Sequence, residues 1–185
     1  MFIQTESTPN PATLKFLPGQ DVLGRGTADF PDAASAGQSP LASAIFGAPG
    51  VTGVFLGADF ITVTKADGTD WAHLKPSILG AILEHFQSGR PAIDGAAESA
   101  HADQDGPDGE IVEQIKELLD TRVRPAVAQD GGDITFHGFD RGVVYLHMKG
   151  ACAGCPSSTM TLKMGIENLL RHYIPEVTEV RQVAV

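Results

Sequence analysis

The strongest constraint on how this chain can fold is a stretch that cannot fold by itself. Residues 90–109 consist largely of Ala, Gly, Asp, Glu and Ser around one large aliphatic residue, Ile93. Such a composition buries too little apolar surface to offset the entropy of ordering it. As a flexible coil of about 20 residues it would span roughly 25 Å. Residues 89–110 hold 6 acidic side chains against 1 basic one, and their repulsion extends the segment further. A chain of 185 residues divided in this way must build two small cores rather than one large one. The expected organisation is a first domain over 1–88, a flexible acidic linker over 89–109 and a second domain over 110–185.

The rest of the composition excludes several classes of function. Hydrophobic residues make up 42% of the chain, enough for two cores. No apolar run approaches the roughly 20 residues needed to cross a bilayer, so no membrane association is expected. The net charge is −10, without a basic stripe. Phosphate contacts supply most nucleic-acid affinity, so no nucleic-acid partner is expected either. Residues 111–185 are nearly neutral, with 9 acidic and 8 basic side chains. The N-terminus, Met1-Phe2-Ile3-Gln4-Thr5-Glu6, lacks a basic region followed by an apolar one. It also lacks the Arg- and Ser-rich character of a transit peptide. A cytoplasmic location is the simplest expectation, and a processed mitochondrial protein would read the same way.

Both halves mix helices with strands, so the expected fold class is α+β. In the first half, Leu14 and Phe16 alternate about Lys15 after a Pro-Asn-Pro turn, and a further strand is expected to end near Phe30. Leu41 to Phe46 follow Ser39-Pro40 as a short helix. Val51 to Leu56 and Phe60 to Lys65 form a hairpin rich in β-branched and aromatic residues. Ile78, Leu79, Ile82, Leu83 and Phe86 form one helical face ending at Ser88-Gly89. Trp71 is expected to pack where hairpin meets helix, with its indole N–H on a polar partner. His73 and His85 are expected at the surface or its boundary.

In the second half, Ile111, Ile115, Leu118, Leu119, Val123 and Val127 keep helical spacing, with Pro125 expected to interrupt it. Strands over Ile134 to Phe139 and Val143 to Met148 flank Asp140-Arg141-Gly142, a hairpin signal. Leu162, Ile166, Leu169 and Leu170 mark another helix, and Val177 to Val183 a last strand.

Between the second strand and the last helix lie the chain's 2 cysteines, in Gly150-Ala151-Cys152-Ala153-Gly154-Cys155-Pro156. Pro156 suits the first position of a helix. Thiols just ahead of a helix start face unpaired N–H groups and a positive dipole end, which favour thiolate. The glycines are expected to let both sulfurs point outward together. Four chemistries fit such a pair. Inert buried cysteines suit an apolar core better than a Gly/Pro loop. A dithiol-disulfide oxidoreductase needs the same pair at a helix start, but the strand-helix-strand unit expected ahead of it is missing. Structural zinc wants four ligands, and His137, His147 and His172 do not complete a known zinc spacing. An iron–sulfur cluster typically takes four thiolates, so two chains sharing one site would close its shell.

The long context of the cysteines resembles a known family. Val123-Arg124-Pro125-Ala126-Val127-Ala128-Gln129-Asp130-Gly131-Gly132-Asp133-Ile134 is similar to the opening of the NifU C-terminal domain. Leu146 to Lys163, around Gly-Ala-Cys-x-x-Cys-Pro, resembles its cysteine region. Thr8-Pro9-Asn10-Pro11, Leu14-Lys15-Phe16 and Asp59 to Lys65 resemble the Nfu N-terminal domain. The resemblance implies an iron–sulfur scaffold or carrier, with a [4Fe–4S] cluster bridging a homodimer through Cys152 and Cys155. It implies apo iron–sulfur client proteins and upstream cluster assembly proteins as partners, and a role in partner contact for the first domain. No Ser-His-Asp set, catalytic carboxylate pair or phosphate loop is visible. Ligand exchange rather than enzymatic catalysis is therefore expected, with the dithiol-disulfide oxidoreductase as the alternative.

Overall fold

The computed structural model describes residues 2–95, 101, 106–153 and 156–183, with the side chains of 156–159 left aside. The chain divides into two compact α+β units, Met1–Glu98 and Ser99–Val185.

The first unit is a five-stranded antiparallel sheet backed by two helices. Its strands are β1 (Gln4–Ser7), β2 (Thr13–Leu17), β3 (Ala28–Phe30), β4 (Val51–Leu56) and β5 (Ile61–Lys65), in the order β1-β2-β5-β4-β3. The helices are α1 (Pro40–Phe46) and α2 (Trp71–Ser88). Each starts on a side-chain cap that satisfies one orphan backbone donor. Ser39 accepts from the Ala42 N–H at 3.0 Å, and Asp70 accepts from the Ala72 N–H at 3.0 Å. Strand residues Phe16, Leu56, Ile61 and Val63 meet helix residues Leu41, Ile45, Ile78 and Ile82, and none of them is exposed. The opposite sheet face holds a transverse row, Glu6, Lys15, Thr62, Phe55 and Asp29, set in register across all five strands. Lys15 is buried there, with Nζ 3.9 Å from the Glu6 carboxylate and 4.7 Å from the Phe60 ring centre.

Trp71 opens α2, packs against this core and donates its indole N–H to the Pro11 carbonyl at 3.3 Å, as expected. His73 is exposed beside Asp70. His85 departs from expectation, being only 6% exposed, edge-on to Phe86 at 5.6 Å. Helical spacing puts it one turn beyond Ile78 and Ile82 on the same core-facing stripe. Burial, and then the charge of Arg90, push its pKa down.

The segment expected as a uniformly free linker is docked near both ends. Ala92 is buried and Ile93 packs on the first core. The Ala92 carbonyl accepts from Ser39 Oγ at 2.5 Å, and the Asp94 N–H donates to Gln38 at 2.6 Å. His101 belongs to the second unit and bonds there.

That second unit opens with one long helical run: α3 (Gly109–Leu118), a π turn (Leu119–Val123) and α4 (Arg124–Gln129). The π turn is the interruption expected of Pro125. A proline ring clashes with the carbonyl four residues back. Widening the turn so that the Arg124 N–H bonds to the Leu119 carbonyl relieves that register. The strands β6 (Gly132–Asp140), β7 (Val143–Gly150) and β8 (Glu179–Gln182) lie in the order β6-β7-β8. The β6–β7 hairpin turns through Arg141 (φ 50°) and Gly142 (φ 84°), the pair of positive angles a two-residue turn needs. α5 (Pro156–Tyr173) then carries the chain across, so that β8 pairs parallel to β7. Val144, Leu146 and Met148 alternate into the core with Ile134, Phe136, Ile166 and Leu170, while α3 contributes Val112 and Ile115.

Candidate metal centre

The cysteine turn is placed by the end of the β6–β7 ladder. Gly132 and Gly150 form its last register pair, and Gly150 turns the chain with φ 66°. The Ala151 N–H then donates to the Gly131 carbonyl at 3.2 Å, and the Ala153 N–H to the Gly150 carbonyl at 3.1 Å. These bonds fold residues 151–153 back over the start of β6. Cys152 consequently lies inward, 6% exposed and part of the second unit's apolar core. This corrects the expectation of two outward sulfurs. The space it occupies exists because residue 132 has no side chain. A Cβ there would stand 2.6 Å from Cys152 Sγ and 2.8 Å from the Lys149 carbonyl. Cys155 lies outside the described residues, as does Gly154.

The three histidines weighed as zinc ligands are not gathered at Cys152. His137 is exposed on β6, at the register shift between Phe136 and Gly138. His147 alternates with Leu146 and Met148 on β7 and so faces away from the core that holds Cys152. Its Nε2 is buried with no hydrogen-bond partner, and burial, then Lys149 and His137, push its pKa down. His172 stacks on Tyr173 near the far end of α5, roughly 24 Å along the helix from its start at 1.5 Å per residue. Among the described residues no group of three or more His, Cys, Asp and Glu is arranged to hold a metal ion.

Next to the cysteine turn lies a charged network that sequence reasoning did not pick out. Arg124, held at the end of the π turn, forks onto Asp133, with Nε at 2.9 Å and a terminal nitrogen at 3.0 Å from the two carboxylate oxygens. Its other terminal nitrogen reaches Asp120 at 3.1 Å. The same Asp120 oxygen lies 2.7 Å from His101 Nε2, and His101 Nδ1 accepts the Phe136 N–H at 2.8 Å. Accepting through Nδ1 leaves the Nε2 proton to donate to Asp120. Burial alone would raise the Asp120 carboxyl, but its bonds from His101 and Arg124 hold it below the usual carboxylate range. Burial likewise works against the Arg124 charge, and Asp133 followed by Asp120 more than offsets it. Asp133 is 3% exposed, so its partner is needed rather than ornamental. The available signal was an Arg directly before a Pro and an Asp directly after Gly-Gly, both inside apolar stretches.

Two family descriptions match this chain: scaffold protein Nfu/NifU N terminal over residues 3–89, and NifU-like domain over residues 115–181. The mitochondrial NifU-like protein 5 of Arabidopsis thaliana is 53% identical over 98% of this chain and 68% of its own length. A Drosophila sechellia protein named NFU1 iron-sulfur cluster scaffold homolog, mitochondrial, is 54% identical over 99% of this chain. The chain spans 65% of that fly relative's length. A NifU-like protein of Saccharomyces cerevisiae, solved by NMR, aligns at 30% identity with a TM-score of 0.46, over 50% of this chain and 84% of its own. The chain belongs to the Nfu/NifU family of scaffold proteins.

Proposed function

We propose that this chain carries an iron–sulfur cluster and delivers it to apo-proteins, binding a [4Fe–4S] cluster between two copies through Cys152 and Cys155. The observation that carries the reading is the position of the cysteine turn, between β7 and α5 of a domain matched to the NifU family. Two thiolates per chain are half of what such a cluster takes, so two copies complete it. The cluster is cargo, and the chemistry is exchange of thiolate ligands. Upstream assembly proteins supply the cluster, and client thiolates displace Cys152 and Cys155. A mitochondrial setting agrees with the relatives' names, which lend no support to the cytoplasmic expectation.

The inward position of Cys152 adds a step. A sulfur only 6% exposed must leave the side of Gly132 before it can bind iron. Loading therefore includes an outward swing of residues 151–153 and loss of the short contacts that hold them.

Anaerobic reconstitution with iron and sulfide, followed by Mössbauer spectroscopy and native mass measurement, tests the proposal. One four-iron cluster per two chains is the expected result. A stable monomer carrying a complete cluster, or no uptake at all, would overturn it.

A further inference from the structure

A chain of short contacts leads from the end of the linker to the buried cysteine. His101 fixes the Phe136 N–H of β6, the edge strand of its sheet, and bonds to Asp120. Asp120 shares Arg124 with Asp133. Asp133 also accepts its neighbour's Ile134 N–H at 2.8 Å, so the carboxylate pins the first turn of β6 from two sides. The residue before it is Gly132, whose Cα forms the wall against Cys152 Sγ. The Gly131 carbonyl, one residue earlier, holds the Ala151 N–H. Every step is a hydrogen bond, an ion pair, a peptide link or a van der Waals contact, and the side chain of His101 is 9% exposed.

We propose that His101 is a positioning residue for Cys152. Docked on the sheet edge, it braces Asp120, Arg124 and Asp133, and these hold the start of β6 where it keeps the Cys152 sulfur inward. When His101 leaves, the β6 start loosens and the sulfur turns outward more often. Whatever pulls on residues ahead of His101 thereby changes how available the thiolate is. This rests on the carrier reading only for its consequence, easier loading and release of a cluster. The positioning itself is a property of the chain without iron.

The test uses full-length apo protein carrying Cys155→Ser, so that Cys152 is the one thiol, and measures its alkylation rate by iodoacetamide. Alkylation of a buried sulfur reports the outward population. Loss of one bond's net worth with His101→Ala should raise the rate about fivefold, with the thermal midpoint of the second unit unchanged. Val180→Ala on β8, away from the turn, serves as the control for general loosening, since it lowers the midpoint by creating a cavity. An unchanged or slower alkylation rate with His101→Ala overturns the proposal. So does a faster rate accompanied by a fall in midpoint matching that of Val180→Ala, because that is the signature of a merely structural residue. If alkylation responds as expected but the wild-type chain never takes up a cluster, the positioning stands and the carrier reading fails.

Discussion

The two units solve the same packing problem with different materials. The first is regular: five antiparallel strands, two capped helices and a core built from aliphatic and aromatic side chains. Its buried charge, Lys15, lies on the sheet face away from the helices and is balanced by Glu6 and the Phe60 ring. The second unit has three strands and concentrates its irregularities near the cysteine turn: a π turn, a buried forked ion pair and a glycine pressed against sulfur. An ordinary core needs only volume and apolar surface. A core that must hold a reactive thiol and also release it is fixed by directional bonds, which break one at a time.

The comparison can be broken most forcefully at Arg124. Arg124→Ala leaves the Asp133 carboxylate buried without its fork, and should cost the second unit about 3 kcal/mol. The chain's 1 tryptophan, Trp71, lies in the first unit and its 2 tyrosines, Tyr145 and Tyr173, lie in the second. Tryptophan fluorescence and tyrosine near-ultraviolet dichroism therefore report the units separately. The expected outcome is a shifted tyrosine transition and an unmoved tryptophan one.

Glycine gives the next contrast. Gly132→Ala forces a Cβ to within 2.6 Å of Cys152 Sγ, and the overpacking should cost about 2 kcal/mol. Gly80→Ala, on the exposed face of α2 with no heavy atom within 4 Å, should instead stabilise the first unit by about 0.7 kcal/mol. Equal effects in denaturant titrations of the two variants would remove the distinction between a cysteine wall and an ordinary helix position.

The smallest effect is expected from pH. His85 in the first unit and His147 in the second both have pKa values lowered from 6.5, chiefly by burial. Each unfolded unit then binds the proton more readily than the folded one, so stability rises with pH across this window. It is fully present above 6.5 and is lost as pH falls from there through the lowered folded values. His85→Gln should flatten that slope in the tryptophan signal alone, and His147→Gln in the tyrosine signal alone. Cross-talk between the two signals would show that the units do not melt independently.

Much of this was legible in the residues. The β4–β5 hairpin, the α2 stripe and the Arg141-Gly142 turn follow from periodicity and backbone preference, which act over a few neighbours. β1 was missed because Gln4 to Ser7 is polar and mostly exposed, held by pairing with β2 rather than by an apolar pattern. His85 was misplaced because its neighbours at helical spacing outweigh its own polarity. The cysteines announced themselves by spacing, yet the direction of Cys152 did not. It depends on the Ala151 bond to Gly131 and on empty space at Gly132, which only the paired strands bring together. The charged network was hidden for a similar reason. His101, Asp120, Arg124 and Asp133 share no periodic pattern, and only the hairpin and the π turn gather them.

The π turn also determines where this chain tolerates a change in length. Removing one residue from Leu119–Val123 would let the run close as an uninterrupted α-helix, advancing everything after it by about 100° around the axis. Arg124 would rotate off Asp133, Val123 and Val127 would swing out of the core, and the Pro125 ring would meet the carbonyl behind it. Helical phase at this point is thus set by residue count as well as by residue type. Substitutions along the run can be graded, whereas a single-residue deletion scrambles the face that meets the cysteine turn.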